Sequence, residues 1–247
     1  MDMGAAERKI TAFISGYFAA SGKKLAVVGL SGGLDSAVAL ALCVKALGRK
    51  NALAVFLPSR STPAEDMKDA KGLAKKIGVL TAKYDIEPIL RAYGTLAVGR
   101  LPRANFSARV RMAALYSIAG RRNGLVVGTG DKSEFMLGYF TKYGDGGADI
   151  FPIGGLYKSE VRALGKHLGI PQPILAKQPS PALWKGQTAK GELGFSYDEA
   201  DQVLAAIERG GKKSHAEGKF GKKIVAAILK RMESNRHKLF PAPICIL

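Results

Sequence analysis

Residues 25–36 read LAVVGLSGGLDS, and this stretch decides the fold. Its apolar part, residues 25–30, is typical of a strand buried in a parallel sheet. The Ala- and Leu-rich segment that follows, as far as Gly48, favours a helix. Further apolar runs lie at residues 52–57, 79–84 and 125–127. Strands that alternate with helices predict an α/β fold: a doubly wound parallel sheet with helices on both faces, followed by C-terminal helices.

Apolar spacing predicts the other helices at residues 5–20, 63–77, 106–121, 158–168, 197–208 and 222–231. The glycine-rich segment 139–155 and the Pro- and Gly-rich segment 171–192 show little periodicity, so we expect mostly irregular structure there. The length and the absence of internal repeats favour a single domain over residues 1–247.

The string SGGLDS, Ser31 to Ser36, lies between the first strand and the helix that follows it. In an open α/β sheet, ligands bind at the carboxyl ends of the strands, where helix N-termini offer free N–H groups. Gly32 and Gly33 allow the backbone to approach a phosphate closely. Asp35 suits such a loop if Mg²⁺ lies between its carboxylate and the phosphates. The string therefore predicts phosphate binding; the alternative is an ordinary turn with an acidic residue in the first helical turn.

The charge of the chain is strongly positive. There are 38 Lys and Arg against 20 Asp and Glu, a formal net charge of +18. Such an excess favours polyanionic partners, which include nucleic acid, anionic membrane surfaces and phosphorylated small molecules. Charge alone does not choose among them.

Two further features concern the compartment. No run of about eighteen apolar residues is present, so no transmembrane helix is expected, and the charged residues within 1–17 argue against a signal peptide. We therefore expect a cytoplasmic protein. Its two cysteines, Cys43 and Cys245, are expected to be reduced thiols, and there is no CxxC pair for zinc or sulfur transfer.

The string SGGLDS resembles the pyrophosphate-binding loop of the ATP pyrophosphatases, which cleave ATP between its α- and β-phosphates. Further strings narrow the resemblance: NFSARVRM at 105–112, VVGTGDKSE at 126–134, GYFTKYGDGGADIFPIGG at 138–155 and HKLFPAP at 237–243. Together they resemble the ammonia-dependent NAD⁺ synthetases, which have the adenine nucleotide alpha hydrolase-like fold. The implied reaction uses ATP to adenylate the nicotinate carboxylate of deamido-NAD⁺ and lets ammonia displace AMP.

The resemblance also implies roles for individual residues. ATP would be bound by Gly29, Leu30, Ser31, Gly32, Gly33, Leu34, Asp35, Ser36, Thr129, Lys158 and Ser180. Deamido-NAD⁺ would be contacted by Arg109, Lys142, Asp149, His237 and Lys238. Asp35 and Glu134 would hold Mg²⁺ and, with Lys158, serve catalysis. Because each of these two carboxylates follows a strand, we expect them to meet at the carboxyl edge of the sheet.

Other interpretations of single residues are open. Glu134 could be an exposed helix residue, Arg109 a cation on a helix surface, and His237 a surface histidine. Many relatives have Asp-Glu where this chain has Ala189 and Lys190. Ordering of this loop over the substrate is therefore expected either to differ here or to depend on Glu192.

The resemblance implies a homodimer whose dinucleotide sites draw on both subunits. It also implies free ammonia as the nitrogen donor, since no glutaminase domain and no nucleophilic cysteine with a base are recognisable. The nearest alternative is a tRNA-modifying ATP pyrophosphatase, such as a lysidine-type ligase, which the positive charge would suit. However, the late basic region has few aromatic residues for stacking on bases. A non-catalytic nucleic-acid-binding protein would explain the charge, but not Asp35, Thr129 and Glu134 together.

Overall fold

The computed structural model describes residues 1–184, 186–210 and 213–246. In these residues the core is a parallel sheet of four strands in the order β3-β2-β1-β4. The strands are β1 (Leu25–Gly29), β2 (Ala52–Phe56), β3 (Leu80–Lys83) and β4 (Gly124–Val127). Val27 pairs with Leu53 on one side and with Val126 on the other. The four predicted strands and their parallel arrangement are confirmed.

Helices cover both faces of this sheet, as expected. They are α1 (Met3–Ser21), α2 (Leu34–Leu47), α3 (Ala64–Ile77), α4 (Glu87–Ala92), α5 (Arg100–Arg121), α6 (Lys132–Leu137), α7 (Lys158–His167), α8 (Gln172–Leu175), α9 (Ala189–Leu193), α10 (Tyr197–Glu208), α11 (Lys213–Phe220) and α12 (Lys222–Asn235). None of the helices in the described part of the chain is both long and apolar enough to cross a membrane.

Several boundaries differ from the predictions. Helix α5 begins at Arg100, six residues before the predicted start at Phe106. Pro102 lies in its first turn, where the missing N–H of proline costs no helical hydrogen bond. Segment 171–192, predicted to be irregular, contains the short helices α8 and α9. Elements of four to six residues are too short to show a helical period in the sequence.

The strand side chains alternate between two hydrophobic layers. Ala26 and Val28 pack with α1, α2, α3 and α7 on one face, while Val27 and Val126 pack with α4 and α5 on the other. A third apolar cluster joins α6 to the C-terminal helices α9 to α12, around Phe195 and Leu204. The C-terminal helices therefore pack on α6, the helix that follows the carboxyl end of β4.

The strand order fixes where a ligand is expected. From β1 the chain proceeds to β2 and β3 on one side, and then returns to place β4 on the other side of β1. The strand order therefore reverses at β1, between β2 on one side and β4 on the other. Such a switch point opens a crevice at the carboxyl ends of the strands.

Candidate active site

The loop after β1 brings a glycine-rich turn to the N-terminus of α2. Gly32 has φ +86°, and a Cβ there would lie 2.2 Å from the backbone oxygen of Asp66. The Ser36 hydroxyl donates to the Gly33 oxygen (3.1 Å) and accepts from the Ser31 N–H (3.2 Å). Helix α2 has no side-chain cap at Gly33. Free N–H groups in its first turn are therefore available to an anion.

Three carboxylates surround one buried ammonium group at the switch point. The Nζ of Lys158 lies 2.9 Å from Oδ2 of Asp35, 2.6 Å from Oδ2 of Asp131 and 2.9 Å from Oε1 of Glu134. Lys158 is 2% exposed and Asp131 is fully buried. Asp35 follows β1, Asp131 and Glu134 follow β4, and Lys158 begins α7. The predicted meeting of Asp35 and Glu134 at one edge of the sheet is what the structure has.

Asp131 was not identified from the sequence. It caps α6: its Oδ1 accepts the Glu134 N–H at 2.8 Å, and Oε2 of Glu134 accepts the Asp131 N–H at 3.3 Å. This reciprocal pair is a capping box, and its sequence signature, an N-cap acid followed three residues later by Glu, is present in the string DKSE. The signature was therefore available. The box fixes two carboxylates of the cluster relative to each other.

Burial and charge shift the pKa values within this cluster. Burial raises the pKa of Asp131 to about 6 and raises that of Glu134 well above its usual range. Burial alone would lower the pKa of Lys158, but the attraction of Asp35, Glu134 and Asp131 outweighs it and raises that pKa well above its ordinary value. One ammonium group thus faces three carboxylates, which leaves an excess of negative charge.

The donor set fits a magnesium ion. One oxygen from each of Asp35, Asp131 and Glu134 lies within 4.8 Å of the others. The second oxygen of Asp35, Oδ1, is buried and has no hydrogen-bond partner among the described residues. Mg²⁺ prefers carboxylate oxygens and commonly shares them with substrate phosphates. The excess negative charge and the free buried oxygen both favour a divalent cation.

A buried aspartate on α10 holds the helix ends that carry this cluster. The carboxylate of Asp201, which is 5% exposed, accepts hydrogen bonds from the Ser133 hydroxyl and from the Ser159 N–H, the latter at 2.8 Å. The Ser133 oxygen also accepts the Lys158 N–H at 3.0 Å. Asp201 therefore holds the first turns of α6 and α7 together, and these turns carry Glu134 and Lys158.

A cleft of about 740 Å³ opens over the cluster. The predicted site residues that line it are Gly29, Leu30, Ser31, Asp35, Thr129, Glu134, Lys158, Ser180 and Lys238. The predicted residues that do not line it are Gly32, Gly33, Leu34, Ser36, Arg109, Lys142, Asp149 and His237. The first four of these belong to the loop and the start of α2 just described.

Four of the five residues predicted to bind the dinucleotide lie near one another. Nε of Arg109 donates to the Lys142 oxygen at 3.3 Å, and Nζ of Lys142 donates to the His237 oxygen at 3.0 Å. Nζ of Lys238 donates to the backbone oxygen of Gly138 at 2.8 Å, at the rim of the cleft. These basic side chains make a positively charged margin.

The hydrogen bonds of Asp149 are made to other residues than these four. Its carboxylate accepts the Val126 N–H at 2.7 Å and the Tyr116 hydroxyl at 3.4 Å. Burial raises the pKa of Tyr116 to about 12, and the negative charge of Asp149 adds to this. In this chain alone, Asp149 therefore braces β4, and a role in binding substrate remains a prediction.

The segment 176–192 adds Lys177 and Gln187, which the sequence did not identify, and shows the contacts of Glu192, which it did. Nζ of Lys177 lies 2.6 Å from Oδ1 of Asp66 and donates to the Gly32 oxygen at 3.1 Å. Glu192 accepts hydrogen bonds from the Tyr139 hydroxyl and, at 3.1 Å, from Nε2 of Gln187. Apart from the Gln187–Glu192 contact, these pairs join residues far apart in the chain, so no local sequence pattern predicts them.

Ala189 and Lys190, which stand where many relatives have Asp-Glu, differ in their surroundings. Ala189 is buried at the start of α9 and lines the cleft, whereas Lys190 is exposed. Glu192 contacts Tyr139 and Gln187, and the choice between a different loop ordering and one that depends on Glu192 stays a prediction.

Comparison with known proteins places the chain among NAD synthetases. The NAD synthase family model matches residues 6–242. The NH(3)-dependent NAD(+) synthetase of Pyrobaculum aerophilum is 47% identical over 248 residues, which cover 98% of this chain and 92% of the relative. The structure of NMN synthetase from Francisella tularensis superposes with a TM-score of 0.90 and 34% identity, with all of both chains covered. An NH3-dependent NAD synthetase from Campylobacter jejuni, in complex with the nitrate ion, gives 0.86 and 31%, again over all of both chains.

Proposed function

Because the chain belongs to the NAD synthase family, we propose that it makes NAD⁺ from deamido-NAD⁺, ATP and ammonia, using the carboxylate and lysine cluster beneath the cleft. The enzyme is a ligase that forms a C–N bond and releases AMP and pyrophosphate. The observation that carries the assignment to this site is the convergence of Asp35, Glu134 and Lys158 at the switch point, beside a glycine-rich loop at a helix N-terminus.

The chemistry has two steps. An oxygen of the nicotinate carboxylate attacks the α-phosphorus of ATP, and the bond to the pyrophosphate oxygen breaks. Ammonia then attacks the carboxyl carbon, the C–O bond to AMP breaks, and a proton is lost from nitrogen. Negative charge develops first on phosphoryl oxygens and then on a tetrahedral carbon centre. Fixed donors and cations aimed at those oxygens supply most of the catalysis.

We assign the phosphate end of ATP to the loop of residues 29–36. The free N–H groups at the start of α2 meet the phosphate oxygens, and Lys158 provides a positive charge that is buried and therefore poorly screened. Asp35 and Glu134 would hold Mg²⁺, with Asp131 as a third carboxylate that the sequence did not suggest. A magnesium ion there supplies charge neutralisation to the phosphates.

We assign the dinucleotide to the basic margin and to a second copy of the chain. Arg109, Lys142, His237 and Lys238 offer cations and donors to its phosphates. Within one chain the carboxylate of Asp149 is held by the Val126 N–H and the Tyr116 hydroxyl instead. A homodimer, in which Asp149 faces the site of the other subunit, would bring the five together. Light scattering after size exclusion, which should give twice 26.2 kDa, tests this arrangement.

The tRNA-modifying alternative is not favoured, since the matching family model and the curated relative are NAD synthetases. A second alternative is a mononucleotide substrate in place of the dinucleotide. The Francisella tularensis structure is that of an NMN synthetase, so the mononucleotide deserves a direct comparison. We propose the dinucleotide, with a single synthetase domain over residues 1–247.

The experiment is an incubation of the purified protein with MgATP, ammonium chloride and either deamido-NAD⁺ or nicotinate mononucleotide. We expect NAD⁺ and AMP in equal amounts, no product when glutamine replaces ammonium, and a higher kcat/KM for the dinucleotide. A higher kcat/KM for the mononucleotide would overturn the substrate assignment. AMP release that needs tRNA, without NAD⁺, would overturn the proposed function. Omission of Mg²⁺ should abolish both products.

A further inference from the structure

One tyrosine at the cleft lacks the partner that a buried hydroxyl normally has. Tyr197, the first residue of α10, is 5% exposed and lines the cleft. Its hydroxyl oxygen is buried and has no hydrogen-bond partner among the residues that the structure describes. Most buried polar groups in folded proteins are paired, so an unpaired one requires an explanation.

Other tyrosines around the site are paired. The Tyr139 hydroxyl donates to Glu192, the Tyr157 hydroxyl donates to Glu208 at 2.9 Å, and the Tyr116 hydroxyl donates to Asp149 at 3.4 Å. Tyr197 differs from them in this respect. It also lies beside the cluster, since Nζ of Lys158 is 5.0 Å from the centre of its ring.

The position of Tyr197 is fixed by the start of its helix. Ser196 caps α10: its hydroxyl oxygen accepts the Glu199 N–H at 3.2 Å, and the Glu199 carboxylate accepts the Ser196 N–H at 2.7 Å. One turn later, Asp201 ties the same helix to the first turns of α6 and α7. The ring is therefore held beside Lys158 by its backbone and by its neighbours, and the hydroxyl contributes no hydrogen bond to a described residue.

The unpaired hydroxyl disfavours folding. Burying a donor without a partner loses its hydrogen bonds to water, and a phenylalanine in the same place would avoid that loss. A group that destabilises the free protein in this way is explained if it gains a partner when a ligand binds. Destabilising groups of this kind are commonly retained at functional sites.

We propose that the Tyr197 hydroxyl donates a hydrogen bond to a phosphate oxygen of ATP, on the same phosphate group that Lys158 binds. This inference rests on the proposed function. Lys158 lies over the ring, so an anion drawn to its ammonium group comes to the side of the cleft that Tyr197 lines. In the free protein, the ammonium group of Lys158 forms ion pairs with three carboxylates. A hydroxyl can donate but carries no charge, and so it strengthens phosphate binding without adding to the charge of this crowded site.

The test compares Tyr197→Phe with Tyr157→Phe. Tyr157 precedes Lys158 and is also buried, but its hydroxyl is paired with Glu208 and it does not line the cleft. The Kd of MgATP is measured by isothermal titration calorimetry in the absence of the other substrates, and Tm is measured for each free protein. For Tyr197→Phe we expect the Kd to rise roughly 10- to 100-fold, the range for a hydrogen bond to a charged acceptor. Its Tm should be unchanged or higher, and Tyr157→Phe should leave the Kd unchanged.

Three results would overturn the inference. The first is an unchanged Kd of MgATP in Tyr197→Phe. The second is a fall in the Tm of that variant, which would mean that the hydroxyl is paired in the free protein. The third is a rise in the KM of deamido-NAD⁺ without a rise in the Kd of MgATP. Failure of the proposed function is separate from these. A wild-type protein that binds MgATP but makes no NAD⁺ would contradict the function and still leave the two Kd values to be compared. A wild-type protein that does not bind MgATP would contradict both.

Discussion

Nζ of Lys158 lies 2.9 Å from Oδ2 of Asp35, although 123 positions separate the two residues in the sequence. One residue begins α7 and the other lies in the first turn of the helix that follows β1. Their contact joins the phosphate loop to the far side of the cleft. It also means that, without ATP and metal, Lys158 offsets only part of the negative charge of the three carboxylates.

Replacement of Lys158 by methionine should destabilise the protein as well as inactivate it. The change removes the ammonium group that faces three carboxylates, and breaking a buried ion pair in this way costs about 3–5 kcal/mol. Urea denaturation measures the loss. Lys132→Met is the matched control, since Lys132 pairs with the more exposed Glu208, and there we expect a change of at most about 1 kcal/mol. Equal losses in the two variants would contradict the account.

Removal of a single carboxylate should reduce activity without reducing stability. Asp35→Asn and Glu134→Gln keep the side-chain shape but remove one of three negative charges, so we expect Tm to stay the same or rise. Mg-dependent release of pyrophosphate should fall by a factor on the order of 100 to 1,000. Asp198→Asn, at an exposed residue of α10, serves as the control. Pyrophosphate release close to wild type in either cluster variant would exclude that residue from the metal site.

Gly32→Ala should damage the phosphate loop. The φ of +86° is unfavourable for any residue with a Cβ, and the added atom would lie 2.2 Å from the Asp66 oxygen. We expect the free energy of unfolding to fall by at least about 1–2 kcal/mol, together with weaker binding of MgATP. Gly16→Ala is the comparison, because Gly16 lies within α1 with nothing within 4 Å of its added Cβ. There a gain of about 0.5–1 kcal/mol is expected. A Gly32→Ala protein as stable as wild type would show that the loop has another conformation.

Arg109→Ala should act on one substrate only. Arg109 lies outside the cleft lining, against the Lys142 oxygen, so we expect the KM of deamido-NAD⁺ to rise at least about tenfold. The KM of ATP should change little. Arg121→Ala, an exposed arginine at the end of the same helix, should change neither value. An equal rise in both KM values for Arg109→Ala would count against its assignment to the dinucleotide.

The sequence predicted the parts of the molecule that depend on local pattern. Strands β1 and β2, buried on both faces, appear as continuous apolar runs, and the string SGGLDS predicts both the loop and Asp35. Glu134 could be placed beside Asp35 because both follow strands, and parallel strands end at one edge. The roles given to individual residues, including those of Arg109, Lys142, Asp149, His237 and Lys238, came from resemblance and remain predictions.

What the sequence did not predict depends on contacts between distant segments. Tyr197 and Asp201 lie on a helix whose period was recognised, but nothing in that helix shows that it packs beside Lys158. Lys177 likewise pairs with Asp66, which lies 111 positions away, so no local pattern predicts the contact. Asp131 is the exception, because its capping pattern was present in the sequence.

The central claim is that this site adenylates a carboxylate, and isotope transfer tests it most directly. Deamido-NAD⁺ carrying ¹⁸O in its nicotinate carboxylate is incubated with the protein, MgATP and ammonium chloride, and the products are analysed by mass spectrometry. We predict that one labelled oxygen per NAD⁺ formed appears in AMP, because the C–O bond to the adenylate breaks when ammonia attacks. Label in inorganic phosphate, with ADP as the other product, would mean that the γ-phosphate is transferred instead, and it would contradict the account.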